Sequence, residues 1–266
     1  MSVFRSKRAL ITGGASGIGR GLAEALGAQG AFVTVADLNL AGSQGVAEGI
    51  VQRGGEAAAV QLDVADSAAF ERLVHSVGQL DYLFNCAGFA IVGEIRHMAM
   101  EAWRRIVDVN LMGVIAGSLE AYKVMARQGC GHIVNIASLA GLVGAPNLSA
   151  YATTKAGVVM LTQMLRAEGE ALGITATAVC PGFIRTGIMD NAQYLNTSKE
   201  AALAQTPVPF MDLAPAIDRI LRGVGRNEAV IVFPAYARLL WRLLRWFPSA
   251  GPPLRRKLVQ LSRDRH

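Results

Sequence analysis

An alternation constrains this chain more than any other feature. Short apolar runs at residues 9–12, 32–36, 58–62, 82–85, 132–136, 175–179 and 230–233 are separated by stretches with helical periodicity. Those stretches lie near 19–29, 41–53, 68–77, 100–127, 150–172 and 213–223. A strand that is apolar throughout must be covered on both faces, and a helix between successive strands is the crossover that parallel pairing requires. The pattern predicts an α/β fold: one doubly wound domain over residues 1–235, with a parallel sheet between two helical layers. Two stretches break the pattern. Residues 185–212, with Pro207 and Pro209, have no clear period and follow a strand end, where such folds put binding loops. The second is a tail over residues 236–266.

Composition excludes several classes. The chain has 266 residues, of which 52% are hydrophobic and 17% charged, so it can bury a core and is not disordered by composition. Three cysteines, Cys86, Cys130 and Cys180, form no CxxC. They argue for a reducing, cytoplasmic setting and against a disulfide framework or a bound metal. Neither a signal peptide nor an apolar stretch of about 18 residues is apparent. The net charge of +6 is unevenly placed. Residues 236–266 hold eight basic groups and one acid, Asp264, which leaves 18 basic and 19 acidic groups to the first 235 residues. A nucleic-acid binder with a basic body is not expected.

Thr12-Gly13-Gly14-Ala15-Ser16-Gly17-Ile18-Gly19 follows an apolar run and opens a helix. Glycines allow a tight turn and close approach of a ligand, and a helix N-terminus offers free N–H groups and a positive dipole end to a pyrophosphate. Asp37 ends the second run, about twenty residues on, where an acid accepts hydrogen bonds from ribose hydroxyls and repels a 2′-phosphate. NAD is therefore expected rather than NADP. Asp63 and Val64, at the end of the third run, and Asn85-Cys86-Ala87-Gly88, at the end of the fourth, lie where a nucleotide would cross the strand ends. Taken alone, Asp63 reads better as a helix cap or loop acid, and Cys86 reads best as a small buried apolar residue.

Tyr151 and Lys155 stand four residues apart at the start of a long helix, which places them on one face. A phenol ionises near pH 10, and a neighbouring cation is expected to lower that value towards neutrality. Ser138, just past the fifth run, can hydrogen-bond a carbonyl oxygen. Asn110, inside an apolar helical stretch, is either a buried amide tied to backbone or an anchor for a proton-relaying water, and both roles can hold.

With these residues in place, the chain resembles the short-chain dehydrogenase/reductase family over roughly residues 5–235. The resemblance rests on the glycine turn at 12–19, the Asn-x-Ala-Gly element at 85–88 and the tetrad Asn110, Ser138, Tyr151 and Lys155. It also rests on Pro181-Gly182-Phe183-Ile184-Arg185-Thr186. It implies a seven-stranded, Rossmann-type sheet and hydride transfer with a nicotinamide cofactor. Tyr151 would be the acid/base, Lys155 a ribose ligand that lowers the phenol's pKa, and Ser138 the group that polarises the substrate oxygen. Ile184 and Thr186 would meet the nicotinamide, with Pro181 and Gly182 beside them. The family also implies a homodimer or homotetramer, paired through the helices carrying Asn110 and Tyr151. Cys86 replaces a second Asn common in the family, and Thr153-Thr154 replaces Ala-Ser.

Residues 185–212 resemble the family's substrate loop. The candidate lining is apolar: Phe89, Ile91, Leu139, Leu142 and Val143 before the loop, then Phe183, Ile188, Met189, Tyr194 and Phe210. A lipophilic secondary alcohol or ketone is the expected substrate, although these residues could equally pack the loop itself. In the tail, residues 236–247 place Arg238, Arg242 and Arg245 on one stripe, leucines and Phe247 opposite, and Trp241 and Trp246 at the borders. Residues 248–253 then end the helix before Arg255-Arg256-Lys257. The tail suits packing on the protein or a partner subunit, peripheral docking on an anionic membrane, or a calmodulin-like or nucleic-acid contact. A non-catalytic nucleotide sensor recruited through this tail is the alternative to an enzyme.

Overall fold

The first strand shows why a buried sheet forms. In β1 (Arg8–Thr12), Ala9 and Ile11 enter one core and Leu10 the other, because successive side chains leave a strand on opposite faces. Leu10 and Ile11 each contribute roughly 1.5–3 kcal/mol on leaving water. The computed structural model describes residues 2–204 and 208–263. Pro207 of the loop and residues 264–266 of the tail, Asp264 and Arg265 included, lie outside the described residues.

The remaining strands of the main sheet are β2 (Phe32–Asp37), β3 (Glu56–Gln61), β4 (Tyr82–Asn85), β6 (Gly131–Ile136), β7 (Ile174–Pro181) and β9 (Val230–Phe233). All seven pair in parallel, in the order β3-β2-β1-β4-β6-β7-β9. The order reverses between β1 and β4, which opens a crevice at the carboxyl ends of the strands. Helices α1 (Gly17–Ala28), α2 (Leu40–Gln52) and α9 (Leu213–Gly225) cover one face. Helices α3 (Ser67–Val77), α5 (Gly113–Gln128) and α7 (Ser149–Gly169) cover the other.

Four local features differ from the sequence expectations. Strand β3 stops at Gln61, so Asp63 stands beyond it, and its carboxylate accepts from the Ala65 N–H at 2.9 Å. The cap of α3 is Asp66, whose Oδ1 accepts from Ala69 N at 3.0 Å. The long helix expected at 100–127 is split into α4 (Met100–Val107), a π-helical turn (Asp108–Met112) and α5, with Asn110 in the turn. Part of the loop is ordered: β8 (Gln193–Tyr194) pairs with β5 (Ile91–Val92), and α8 (Lys199–Ala204) follows.

The tail forms α10 (Ala235–Trp246), a 3₁₀ turn (Pro248–Ala250) and α11 (Gly251–Arg263). As expected, the first helix ends before Pro248, which opens the 3₁₀ turn, while Pro252 and Pro253 sit in the first turn of α11, where proline's missing N–H has no partner to lose. The short helix α6 (Ala140–Val143) packs beside α7 and contacts α10.

Candidate active site

The crevice is first shaped by Thr12. Its Oγ1 accepts from the backbone N–H groups of Cys86 (3.1 Å) and Ala87 (3.3 Å), which pins the segment after β4 against the turn after β1. Gly13 sits in that turn with φ +65°, and a Cβ there would lie 2.8 Å from the Ala87 backbone. Only glycine combines that conformation with that approach. Ser16 is the N-cap of α1 but makes no side-chain capping bond, so the first-turn N–H groups at Gly17, Ile18 and Gly19 stand at the crevice wall without a side-chain partner.

Across the turn, the Asp37 carboxylate accepts from Ala15 N (3.0 Å) and Asn39 N (2.9 Å). A carboxylate has acceptor sites left after two such bonds. A close backbone cradle, free helix N–H groups and an acid in the same wall fit a dinucleotide.

At the other end, Ser138 follows β6, while Tyr151 and Lys155 share a face of α7. The Ser138 hydroxyl stands close enough to that of Tyr151 to favour its ionised form, and its Oγ accepts from Ala140 N at 3.1 Å. Lys155 Nζ donates to the Ile136 carbonyl at 2.7 Å and lies 5.8 Å from the centroid of the Tyr151 ring. Asn110 is fully buried, and its amide makes two bonds to one residue: Oδ1 accepts from Phe89 N (3.0 Å) and Nδ2 donates to Phe89 O (2.9 Å). The π turn thus serves to aim this amide at the segment after β4, the backbone-tied role of the two considered.

The electrostatics correct one expectation. Burial raises the Tyr151 pKa above its usual value, and the Ser138 hydroxyl only partly opposes this. Burial brings the Lys155 ammonium itself down to about 8. It therefore loses its charge before the phenol ionises. Burial also pushes the Cys86 thiol up to about 12, so although Cys86 keeps some surface at the wall it is no thiolate near neutrality.

A single cleft of about 620 Å³ joins the two ends, within the range of small-molecule sites. Its wall contains Gly13, Ser16, Gly17, Ile18, Gly19, Asp37, Asp63, Val64, Ala87 and Gly88 from the nucleotide end. Ser138, Tyr151, Lys155, Pro181, Gly182, Ile184, Thr186 and Ile188 line it further along, while Asn110 stands behind the wall. Asn85 is elsewhere: it is buried, and its Nδ2 donates to Asn135 Oδ1 (2.8 Å) and Ser118 Oγ (3.2 Å), tying β4, β6 and α5 together.

Most of the expected substrate lining also packs elsewhere. Leu139, Leu142 and Val143 join the core under α7, Phe183 packs on Phe210 with ring centroids 5.4 Å apart, and Ile91 is fully buried. Tyr194 donates to the Met189 carbonyl at 2.6 Å. Phe89 does reach the cleft. Beside it stands Arg105, missed in the sequence, whose guanidinium lies 5.2 Å from the Phe89 centroid. Asn191 and Gln193 are further polar groups in the wall that no motif marked.

Residues 7–195 match the sequence family described as short chain dehydrogenase. The chain belongs to the short-chain dehydrogenase/reductase family. Similar members include cyclohexanol dehydrogenase of Acinetobacter sp., 41% identical over 193 residues, or 70% of this chain and 76% of that protein. A 3-oxoacyl-[acyl-carrier-protein] reductase of Synechocystis sp. is 37% identical over 197 residues, 72% of this chain and 79% of that one. A short-chain dehydrogenase/reductase from Burkholderia phymatum, solved with NAD, superposes with a TM-score of 0.85 at 26% identity, covering 94% of this chain and 96% of that one. One from Sphingobium yanoikuyae, solved with NADPH, gives 0.81 at 27% identity, covering 92% and 94%. The family binds a nicotinamide dinucleotide of either kind, and this chain is one of its oxidoreductases. Among the described residues, no helix is long and apolar enough to cross a membrane.

Glu71, His75 and Glu120 also bring metal-ligating atoms within 4.8 Å of one another, on α3 and α5 and away from the cleft. Lys123 already holds Glu120 Oε1 at 2.7 Å.

Proposed function

We propose that the protein is an NAD-preferring oxidoreductase that interconverts an apolar secondary alcohol and its ketone. The observation that carries this reading is the convergence of the Ser138–Tyr151 hydroxyl pair and Lys155 at one end of a cleft whose other end is the Gly13–Gly19 cradle. Relatives named for cyclohexanol and 3-oxoacyl groups support a carbonyl or carbinol centre on an apolar frame. A bound NAD supplies or accepts the hydride. Asp37 holds the adenosine ribose through its remaining acceptor sites and disfavours a 2′-phosphate. Backbone N–H groups at residues 17–19 meet the pyrophosphate. Asp63, Val64, Ala87 and Gly88 flank the nucleotide's path, while Ile184 and Thr186 border its reacting end.

Ser138 Oγ hydrogen-bonds the substrate oxygen. Tyr151 Oη donates its proton to that oxygen in reduction and takes it from the alcohol in oxidation. Because burial keeps the phenol protonated at neutral pH, the resting site is set to donate. Oxidation is therefore expected to gain from alkaline conditions. Lys155 binds the ribose of the nicotinamide half, and Asn110 fixes the segment at residue 89 that borders the substrate. Phe89 and Ile188 supply the apolar wall.

The subunits assemble as a homodimer or homotetramer. Met112, Leu119, Met160 and Met164, on α5, α7 and the adjoining π turn, are each about half exposed and suit such an interface. A nicotinamide-absorbance screen of cyclic and open-chain apolar ketones, with a parallel fluorescence titration, tests the reading. At least one ketone should be turned over, and NADH should bind about tenfold or more tighter than NADPH. The reverse cofactor ranking removes the role given to Asp37. A panel without turnover removes the substrate class.

A further inference from the structure

The redox reading leaves the C-terminal helices unexplained, and their surface carries a second inference that does not depend on it. Helix α10 is held to the body by one face. Ala237 is fully buried, Leu240 and Trp241 pack on the core under α7, and Tyr236 Oη accepts from Phe183 N at 2.8 Å. The opposite face is uncovered: Leu239 is 70% exposed, Leu243 47%, Trp246 78% and Phe247 61%. These four form one stripe along the helix, since positions 239, 243 and 246 are successive neighbours on a helical surface. Arg238, Arg242 and Arg245 are exposed beside them.

The charges around the stripe have one sign. Residues 236–263 contain seven basic groups and no carboxylate. Two of them are used internally. Arg255 Nη1 donates to the Val143 carbonyl at 3.0 Å, and Arg263 makes a two-pronged pair with Glu94 at 3.0 and 2.7 Å. These contacts fix α11 across the protein. Arg256 and Lys257 remain exposed on α11.

We infer that α10 docks on the surface of an anionic lipid bilayer, with Leu239, Leu243, Trp246 and Phe247 entering the interface and the arginines meeting lipid phosphates. Charge selects this occupant. A second copy of the same stripe would bring arginine against arginine with no carboxylate between them, whereas anionic headgroups complement it. Protruding aromatic side chains beside arginines are the composition that suits the headgroup boundary. Length selects the orientation. Twelve residues of helix span about 18 Å, too short to cross a hydrocarbon layer of about 30 Å but suited to lying in its surface.

Helix α10 leaves the sheet at the carboxyl end of β9, the edge at which the cleft opens, and its first turn bonds to the segment at Phe183. Docking would therefore hold the cleft's edge of the molecule near the bilayer.

The test is co-sedimentation of the full-length protein with vesicles of phosphatidylcholine alone, or with about one-third phosphatidylglycerol. Binding should require the anionic lipid and weaken with salt. Leu239→Glu/Trp246→Glu should lower the partition coefficient more than tenfold. Arg238→Glu/Arg242→Glu should do the same, and all variants should keep the wild-type melting temperature and ketone reductase rate in lipid-free buffer. Trp246 emission should shift to the blue with anionic vesicles, and the shift should vanish in Trp246→Phe. No pelleting with either vesicle overturns the proposal. Pelleting that both double variants retain also overturns it. A variant that alters the sedimentation coefficient without lipid, while leaving vesicle binding unchanged, identifies the stripe as a contact between copies.

Discussion

At the nucleotide end the cleft wall is mostly backbone, and at the substrate end it is mostly side chains. Gly13, Gly19 and Ala87 make the first wall through close main-chain approach, which few residue types permit, and the buried Thr12 hydroxyl pins it from behind. Phe89, Arg105, Ile188 and Gln193 make the second, where many residue types would serve. The difference teaches that a site built from backbone constrains sequence tightly, and a site lined by side chains constrains it little.

Of the two walls, breaking the backbone one should give the larger change. A valine at position 13 would meet both a left-handed φ and the Ala87 backbone at 2.8 Å. Strain of about 1–3 kcal/mol with the added clash should weaken NADH binding on the order of a hundredfold in a fluorescence titration. Unchanged affinity would mean that the turn does not cradle the nucleotide.

A smaller effect separates packing from lining at the loop end. Phe183 packs on Phe210 rather than into the cleft, so Phe183→Ala should cost about 1–2 kcal/mol of stability in a denaturant melt and leave KM near wild type. Ile188→Ala should do the opposite, raising KM for an apolar ketone about tenfold with little change in the melt. Exchanged outcomes would mean that the loop presents the other residue to substrate.

Titration sharpens the contrast further, because core and cleft respond on opposite sides of neutrality. Burial in the sheet lowers the His132 pKa to about 4, below its unfolded value of about 6.5. Between those values the unfolded chain binds more protons, so stability is complete above pH 6.5 and is lost as pH falls through 4. The loss at pH 5.5 relative to 7.5 should be about 1 kcal/mol, and His132→Gln should remove it. In the cleft, Lys155 keeps its charge below about 8 and loses it above. NADH affinity should fall severalfold as pH rises through that value, with the fold intact. An affinity that is flat to pH 9 would separate Lys155 from the cofactor.

The sequence was most informative where physical constraint is local. Parallel strands buried in the sheet left apolar runs whose ends agree with the structure to within two residues, and at β3 the two-residue difference falls on Glu56 and Ala57, which carry little apolar signal. Gly13, Asp37, Ser138, Tyr151 and Lys155 stand at strand ends or on the first turns of helices, so their facing follows from position. Asn85 misled for the same reason: its strand end is right, but alternation turns its side chain down into the Asn135 and Ser118 network. Leu139 and Val143 were sorted by hydrophobicity, which suits a core as well as a pocket, and α6 turns them inward. Arg105 was invisible because a charge on an amphipathic helix ordinarily faces solvent.

The central claim is that Tyr151 moves the proton in a hydride transfer carried out in this cleft. Tyr151→Phe, measured at once by NADH titration and by ketone turnover, tests it most directly. NADH affinity should stay within about twofold while turnover falls on the order of 10²- to 10⁴-fold. Turnover retained within a few-fold of wild type would contradict the assignment.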